Sequence, residues 1–250
     1  MRHFTPSANK KKFMNILQAH KYYWHKDGAS NYMLRLSELL EKKGHTVIPF
    51  AMKHKLALPT KFSRYFVQHR DLASIADISI KQKISHASNL IYSQQARTQI
   101  QKLLNKYPVD IAHIHNIYHH ISPSILLELK KREIPIVMTL HDYKLISPNY
   151  SLFHHGKICT KDAQFGYLKG VMHRCHKGSL SQSVLLALEM TIHHRLFKWY
   201  AKTVDYYIAP SAFIKKLCIS SGIDQNKIIH IPHPSKKERR AESKHQSYIG

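Results

Sequence analysis

Three short segments carry side chains suited to chemistry. The first is residues 24–30, WHKDGAS. A glycine such as Gly28 lets backbone approach a phosphate closely, and the unpaired N–H groups at a helix start favour an anion. Neither GxGxxG nor GxxxxGK[ST] is present, so this is not a standard dinucleotide or ATP loop; the plainer alternative is a helix cap with a tolerant glycine. The second is residues 113–116, HIHN, leading on to Tyr118, His119 and His120. On a strand, His113 and His115 share one face. Two imidazoles at that spacing begin a metal site, yet no carboxylate or cysteine is placed to complete one, and a polar strand end facing a sugar is the preferred reading. The third is His141-Asp142-Tyr143, directly after the apolar run 134–140. A His-Asp pair at the end of a strand is where α/β enzymes place polar catalytic groups. The same dipeptide serves a helical metal phosphohydrolase, but the strand context argues against that. Cys159 and Cys175 have His154, His155, His173 and His176 nearby; their spacing lacks the tight CxxC hooks of a zinc site, so zinc stands beside free thiols or a packing pair. Cys218, in a helix with Phe213 and Leu217, reads as core.

The elements that must position these groups alternate. Residues 13–18 read as a strand, and Gly28 opens a helix with Ala29, Tyr32, Met33, Leu36, Leu39 and Leu40 on one face. Gly44 sits at its C-terminal cap. Residues 46–50 form a second strand, which by Pro49 either ends near there or lies at an edge, and 51–85 form an irregular connection with short helical pieces. A helix over 94–106 turns Ile100, Leu103 and Leu104 inward, and 110–115 is a strand. Ser122-Pro123 is a cap followed by a first-turn proline. The near-continuous apolar run 134–140 is a strand covered on both sides. Residues 143–178 read as an inserted loop region over one end of the sheet. Leu185, Leu188, Ile192, Leu196 and Trp199 mark one long helix; a strand over 206–209, a helix from Ser211 to Gly222 and a strand over 227–231 follow. Strand–helix alternation predicts an α/β fold: a single Rossmann-like domain with a parallel sheet and helices on both faces. Its crevice lies at the carboxyl ends of the strands, where the three segments meet if the strand order is Rossmann-like.

Composition agrees. In 250 residues, 43% hydrophobic and 10% aromatic content supplies a core and excludes a disordered tail. With 8 Gly and 10 Pro the chain is not collagen-like, and 3 Cys exclude a disulfide scaffold and suit a reducing compartment. Lys and Arg number 39 against 15 Asp and Glu, a formal charge of +24, with 21 His besides. Such a chain attracts polyanions: nucleic acid, an anionic membrane surface or phosphorylated substrates; a basic solvated surface is the bland alternative. The charge is spread along the chain, and its densest clusters, residues 10–12 and 236–244, read as solvated tails. No zinc-finger spacing, helix-turn-helix or RNP motif favours nucleic acid. No segment reaches the roughly 20 apolar residues of a membrane span, and the N-terminus lacks the apolar run of a signal peptide. The expected location is cytoplasmic, with peripheral contact at the inner face of an anionic membrane.

Six stretches stand in order over residues 14–234: MNILQAHKYYWHKDGAS, LSELLEKKGHTVIPFAMKH, DIAHIHN, IPIVMTLHDYKLISPNYSLFHHGKIC, HRCHKGS and IIHIPHP. The set resembles the N-terminal domain of glycosyltransferase family 4, retaining enzymes of the two-domain GT-B fold; TLHDY with a Cys-containing loop and HRCxKGS is similar to a bacterial polysaccharide-type subgroup. The resemblance implies transfer of a sugar, with retention, from a nucleotide diphosphate sugar to a glycan or lipid-linked acceptor, with no cofactor and no catalytic metal. It makes Gly28, Ala29 and Ser30 the donor-phosphate contacts, with Asp27-Gly28 standing where the family often has two glycines. His141 faces the donor sugar, Asp142 orients the loop, and His115, Asn116 and Tyr143 are substrate contacts. The family's second Rossmann-like domain binds most of the donor and carries two Glu eight apart; no two Glu here are so spaced. The expectation is therefore a basic extension over 1–13, an acceptor-side domain over 14–234, and over 235–250 a linker and the start of a missing domain. Such a truncated half-enzyme has little activity alone. The alternative is a non-catalytic module that pairs with a separately encoded second half.

Overall fold

Strand β1 (Asn15–Ala19) has its last four residues buried, so both of its faces must be covered. The computed structural model, which describes residues 13–69, 88–148, 150–154, 157–158, 167, 171–172 and 180–233, shows how. After α1 (Gly28–Lys42) and β2 (Thr46–Phe50), a 3-10 turn spans Ser63–Tyr65. Then come α2 (Gln94–Lys106), β3 (Ile111–Ile114), α3 (Ser124–Lys131) and β4 (Ile136–Thr139). A two-stranded antiparallel hairpin, β5 (Phe153–His154) and β6 (Lys157–Ile158), precedes α4 (Leu180–Met190), α5 (Trp199–Thr203), β7 (Tyr206–Ala209), α6 (Ala212–Ser220) and β8 (Ile228–His230). The main sheet is β2-β1-β3-β4-β7-β8 and every pairing in it is parallel. With this strand order the right-handed crossover rule places α1 on one face and α2 and α3 on the other, and α2 packs on α3. This is the Rossmann-like α/β fold that the alternation predicts. Pro49 lies in β2, an edge strand, where its missing N–H leaves no inner ladder bond unmade.

Local chemistry fixes the element ends. Asp27 and Ser30 form a reciprocal capping box: Ser30 N–H donates to Asp27 Oδ1 (2.8 Å) and Asp27 N–H to Ser30 Oγ (2.9 Å). Ser211 Oγ accepts from Ile214 N–H at the start of α6. Gly44, at φ +87°, makes the left-handed turn out of α1. At the opposite end of the sheet Asp110 and Asp205 accept the backbone N–H groups of Asn15 and Ile136, each at 2.8 Å.

Two local expectations are corrected. Ser122 is not the cap residue of α3: it is buried at φ 65° and Pro123 holds the cap position, but the Ser122 hydroxyl accepts from both Ser124 N–H (3.3 Å) and Ser93 N–H (2.8 Å), fastening the start of α2 to that of α3. The long helix of 185–199 is broken. A π-helical stretch, Thr191–Leu196, follows α4, and Lys198, at φ 54°, separates it from α5. Its buried side carries Leu186, Glu189, Met190 and His193, leaving Leu188 and Leu196 exposed. Cys218 is core, as its place in the helix predicts, while Phe213 in the same helix is 58% exposed. The ends 1–12 and 234–250, with Cys159 and Cys175, lie outside the described residues. Among the described residues no helix is long and apolar enough to cross a membrane, and no group of three or more His, Cys, Asp or Glu is placed to hold a metal ion.

Candidate active site

The chain leaves β1 to one side for β2 and returns on the other for β3. At such a switch the loops following the two central strands diverge, and a crevice opens at their carboxyl ends. A cleft of about 770 Å³ lies there, lined in part by Lys21, Gly28, Asn116, His141, Asp142 and Lys144. Ala29, Tyr118, His119, His120 and His233 also reach it. Of the residues singled out from sequence, Gly28, Ala29, Asn116, His141 and Asp142 are thus brought together. Ser30, His115 and Tyr143 are not among the lining residues. Ser30 is buried in its capping box, His115 lies fully buried behind His141, and the Tyr143 ring packs edge-on against Phe213 at 6.4 Å.

Polar groups on neighbouring strands meet behind the cleft. His115 Nε2 bonds Gln18 Oε1 at 2.6 Å, and His115 Nδ1 bonds His141 Nε2 at 2.9 Å. His113 Nε2 bonds Thr139 Oγ1 at 2.7 Å. The Tyr32 ring lies 5.1 Å from that of His141 and 4.3 Å from that of His233. Burial drives these imidazoles toward the neutral form. His113 is lowered to about 4 by desolvation. His115 falls well below its ordinary value through desolvation and the surrounding histidines. His141 is lowered to about 3 by desolvation, with His233, His20 and His113 adding to it. His141 is therefore a neutral hydrogen-bonding group at working pH, not a charged acid.

Asp142 joins two loops. Its Oδ2 accepts from Asn116 Nδ2 and its Oδ1 from Lys144 N–H, both at 3.0 Å. Burial raises its pKa, opposed by the Lys144 N–H bond and the nearby Lys21 charge. Lys21 is lowered by burial and supported by Asp142 and Asp27. At the start of α1, Asp27 takes the N–H groups of Ser30 and Asn31, leaving those of Gly28 and Ala29 directed away from the helix. Deeper, Lys144 Nζ pairs with Glu189 Oε2 at 2.8 Å, with both side chains almost fully buried. Burial alone would raise the Glu189 carboxyl, but Lys144, His119 and His193 hold it below its ordinary value.

Sequence reasoning missed Lys21, Lys144, Glu189, Gln18 and His233. Lys144 follows the His-Asp-Tyr run directly and His233 sits in the IPHP stretch, so both had a local signal; Gln18 and Glu189 sit within a strand and a helix that read as apolar.

The sequence matches Glycosyltransferase Family 4 over residues 26–239. No curated protein matches it. Among solved structures it is similar to UDP-N-acetylglucosamine 2-epimerase from Rickettsia bellii, at 11% identity and TM-score 0.44, over 88% of this chain and 45% of that one. It is similar too to apo UGT2 from Phytolacca americana, at 13% and TM-score 0.46, over 89% of this chain and 52% of that one. A third is Acinetobacter baumannii MurG, at 11% and TM-score 0.31, over 88% and 79%. The chain spans less than half the length of the epimerase and about half that of UGT2.

Proposed function

This chain belongs to Glycosyltransferase Family 4, and on that premise we propose that its cleft is one wall of the sugar-transfer site of a retaining enzyme. The observation that carries this reading is that Gly28, at the start of α1, and His141, at the end of β4, line one crevice at the sheet's switch point. The donor is a nucleotide diphosphate sugar. Its diphosphate lies toward the Gly28 and Ala29 N–H groups, where the helix dipole and Lys21 offset its charge. His141 hydrogen-bonds a hydroxyl of the donor sugar. Asp142 holds the loop that carries it, and Asn116 adds a polar contact. Ser30 and His115 act from behind, through the cap and through His141, and Tyr143 packs the same loop. The acceptor is a glycan or a lipid-linked sugar of polysaccharide or cell-envelope synthesis. The nucleotide is held by a second Rossmann-like domain, as the family resemblance implies.

In this reading catalysis is positioning. The residues place acceptor and anomeric carbon together and stabilise the departing diphosphate in a closed groove. The +24 charge supports a place at the anionic inner face of the cytoplasmic membrane, where lipid-linked acceptors lie. The test uses the 250-residue chain. Nucleoside diphosphates and their sugars are titrated in while backbone amide and histidine ring signals are followed by NMR. The expected shifts fall on Gly28, Ala29 and His141, with little or no sugar transfer by this chain alone. Shifts confined elsewhere reject the cleft, and robust transfer rejects the assignment of a single wall.

A further inference from the structure

Gln18, His115 and His141 form a single file of hydrogen bonds from the sheet interior to the cleft, at 2.6 Å and 2.9 Å. Gln18 and His115 are fully buried, and only His141, at the end of the file, reaches the cleft. An amide oxygen can only accept. In the placed orientation of the Gln18 amide, with Oε1 against it, His115 Nε2 carries the proton. A neutral His115 then has a bare Nδ1, which can meet His141 only by accepting. His141 must therefore donate from Nε2, and its own Nδ1 is left as a lone pair. We propose that Gln18, acting through His115, sets the tautomer of His141 so that the cleft is offered a hydrogen-bond acceptor. Gln18 and His115 are positioning residues, and the group that His141 recognises is a donor, such as a hydroxyl.

The chemistry explains why the file runs through buried groups. An exposed histidine exchanges its tautomers freely with water, whereas here Gln18 and His115 are fully buried away from it. The low pKa of His115 supports this, because a protonated His115 would donate from both nitrogens and reverse the last bond. His20, close by on the β1 side with ring centroids 6.3 Å apart, is held neutral in the same way, at about 4 by burial. The price of the arrangement is visible: Gln18 Nε2 is buried without a partner.

The inference rests on the sugar-transfer reading only for its purpose, since the tautomer exists in the free chain. The measurement is two-bond 15N–1H NMR of the histidine rings in the full chain, with His141 assigned by the signal lost in His141→Phe. The expected result is one tautomer, protonated at Nε2. In Gln18→Leu the His115 Nε2 proton loses its acceptor and moves to Nδ1, and the His141 tautomer ratio shifts by about tenfold or more, the effect of one unpaired buried N–H. Gln18→Met is the second variant should Leu not fold, and the unmutated spectrum is decisive by itself. Protonation of His141 at Nδ1, or a ratio indifferent to residue 18, overturns the proposal. A tautomer that depends on Gln18 in a chain that binds no nucleotide sugar upholds the file and rejects the functional reading. Binding without that dependence rejects the file alone.

Discussion

Mild acid should unfold this protein well before its carboxylates titrate. His20, His113 and His115 are buried in the sheet's polar interior. His20 and His113 are lowered to about 4 and His115 well below its ordinary value, in each case chiefly by desolvation. In the unfolded chain each titrates near 6.5. The folded pKa is the lower one, so the unfolded state takes up protons that the folded state refuses. Stability is fully present above the unfolded pKa and is lost as pH falls toward the folded values. A histidine so shifted loses about 1 kcal/mol at pH 6 and about 2 kcal/mol at pH 5. Three together lose about 6 kcal/mol by pH 5, comparable with the whole stability of a domain, roughly 5–15 kcal/mol. The assay is urea unfolding at pH 8, 7, 6 and 5, followed by fluorescence of Trp24 and Trp199, the 2 tryptophans of the chain. His119, His141 and His194, each lowered to about 3 chiefly by burial, act in the same direction, so the midpoint should fall steadily, with a dependence near pH 5 of at least about three protons, and His113→Gln should remove about one of them. Equal midpoints at pH 8 and pH 5 would refute the desolvation argument.

Two substitutions separate architecture from function. Lys144→Met leaves the Glu189 carboxylate buried beside neutral imidazoles and should destabilise by about 3–5 kcal/mol in chemical denaturation; the double variant Lys144→Met/Glu189→Gln should recover much of that loss, and no recovery would mean that Lys144 acts through packing. A Cβ added at Gly28 meets nothing within 4 Å, so Gly28→Ala should keep stability within about 0.5 kcal/mol. Its methyl stands at the helix start, and nucleoside diphosphate binding, measured by titration, should weaken by about tenfold, the loss of one charge-assisted bond; unchanged binding would remove Gly28 from the phosphate contact.

Much of the fold was legible because punctuation and periodicity coincided. Gln94–Lys106 and Tyr206–Ala209 fall where their patterns place them, and of the two readings of Pro49, a strand end or an edge strand, the pairing shows the edge. Reading failed where tertiary burial overrode hydrophobicity. In Leu180–Met190 the side turned inward includes Glu189, which satisfies Lys144, while Leu188 faces solvent. A rule that counts apolar spacing cannot see that a buried lysine requires a carboxylate on that side. Ser122 differs: besides the Ser124 N–H at the start of α3, its hydroxyl takes the N–H of Ser93, 29 residues away, which no local cap rule reaches.

The site was half legible for a related reason. A polar residue at the end of an apolar strand is visible in sequence, and that is how His115, Asn116, His141 and Asp142 were found. Gln18 is invisible because its significance depends on which strand lies beside β1. The parallel register sets Gln18 against His113 and Ala19 against Ile114, so Gln18 reaches His115 two residues on, across 97 residues of chain. Had β3 paired instead with β2, that strand would stand between the amide and the imidazole, and they could not meet. The crossover that seats β3 beside β1 therefore does two things. It opens the crevice, and it delivers the one buried acceptor that determines how His141 meets whatever enters.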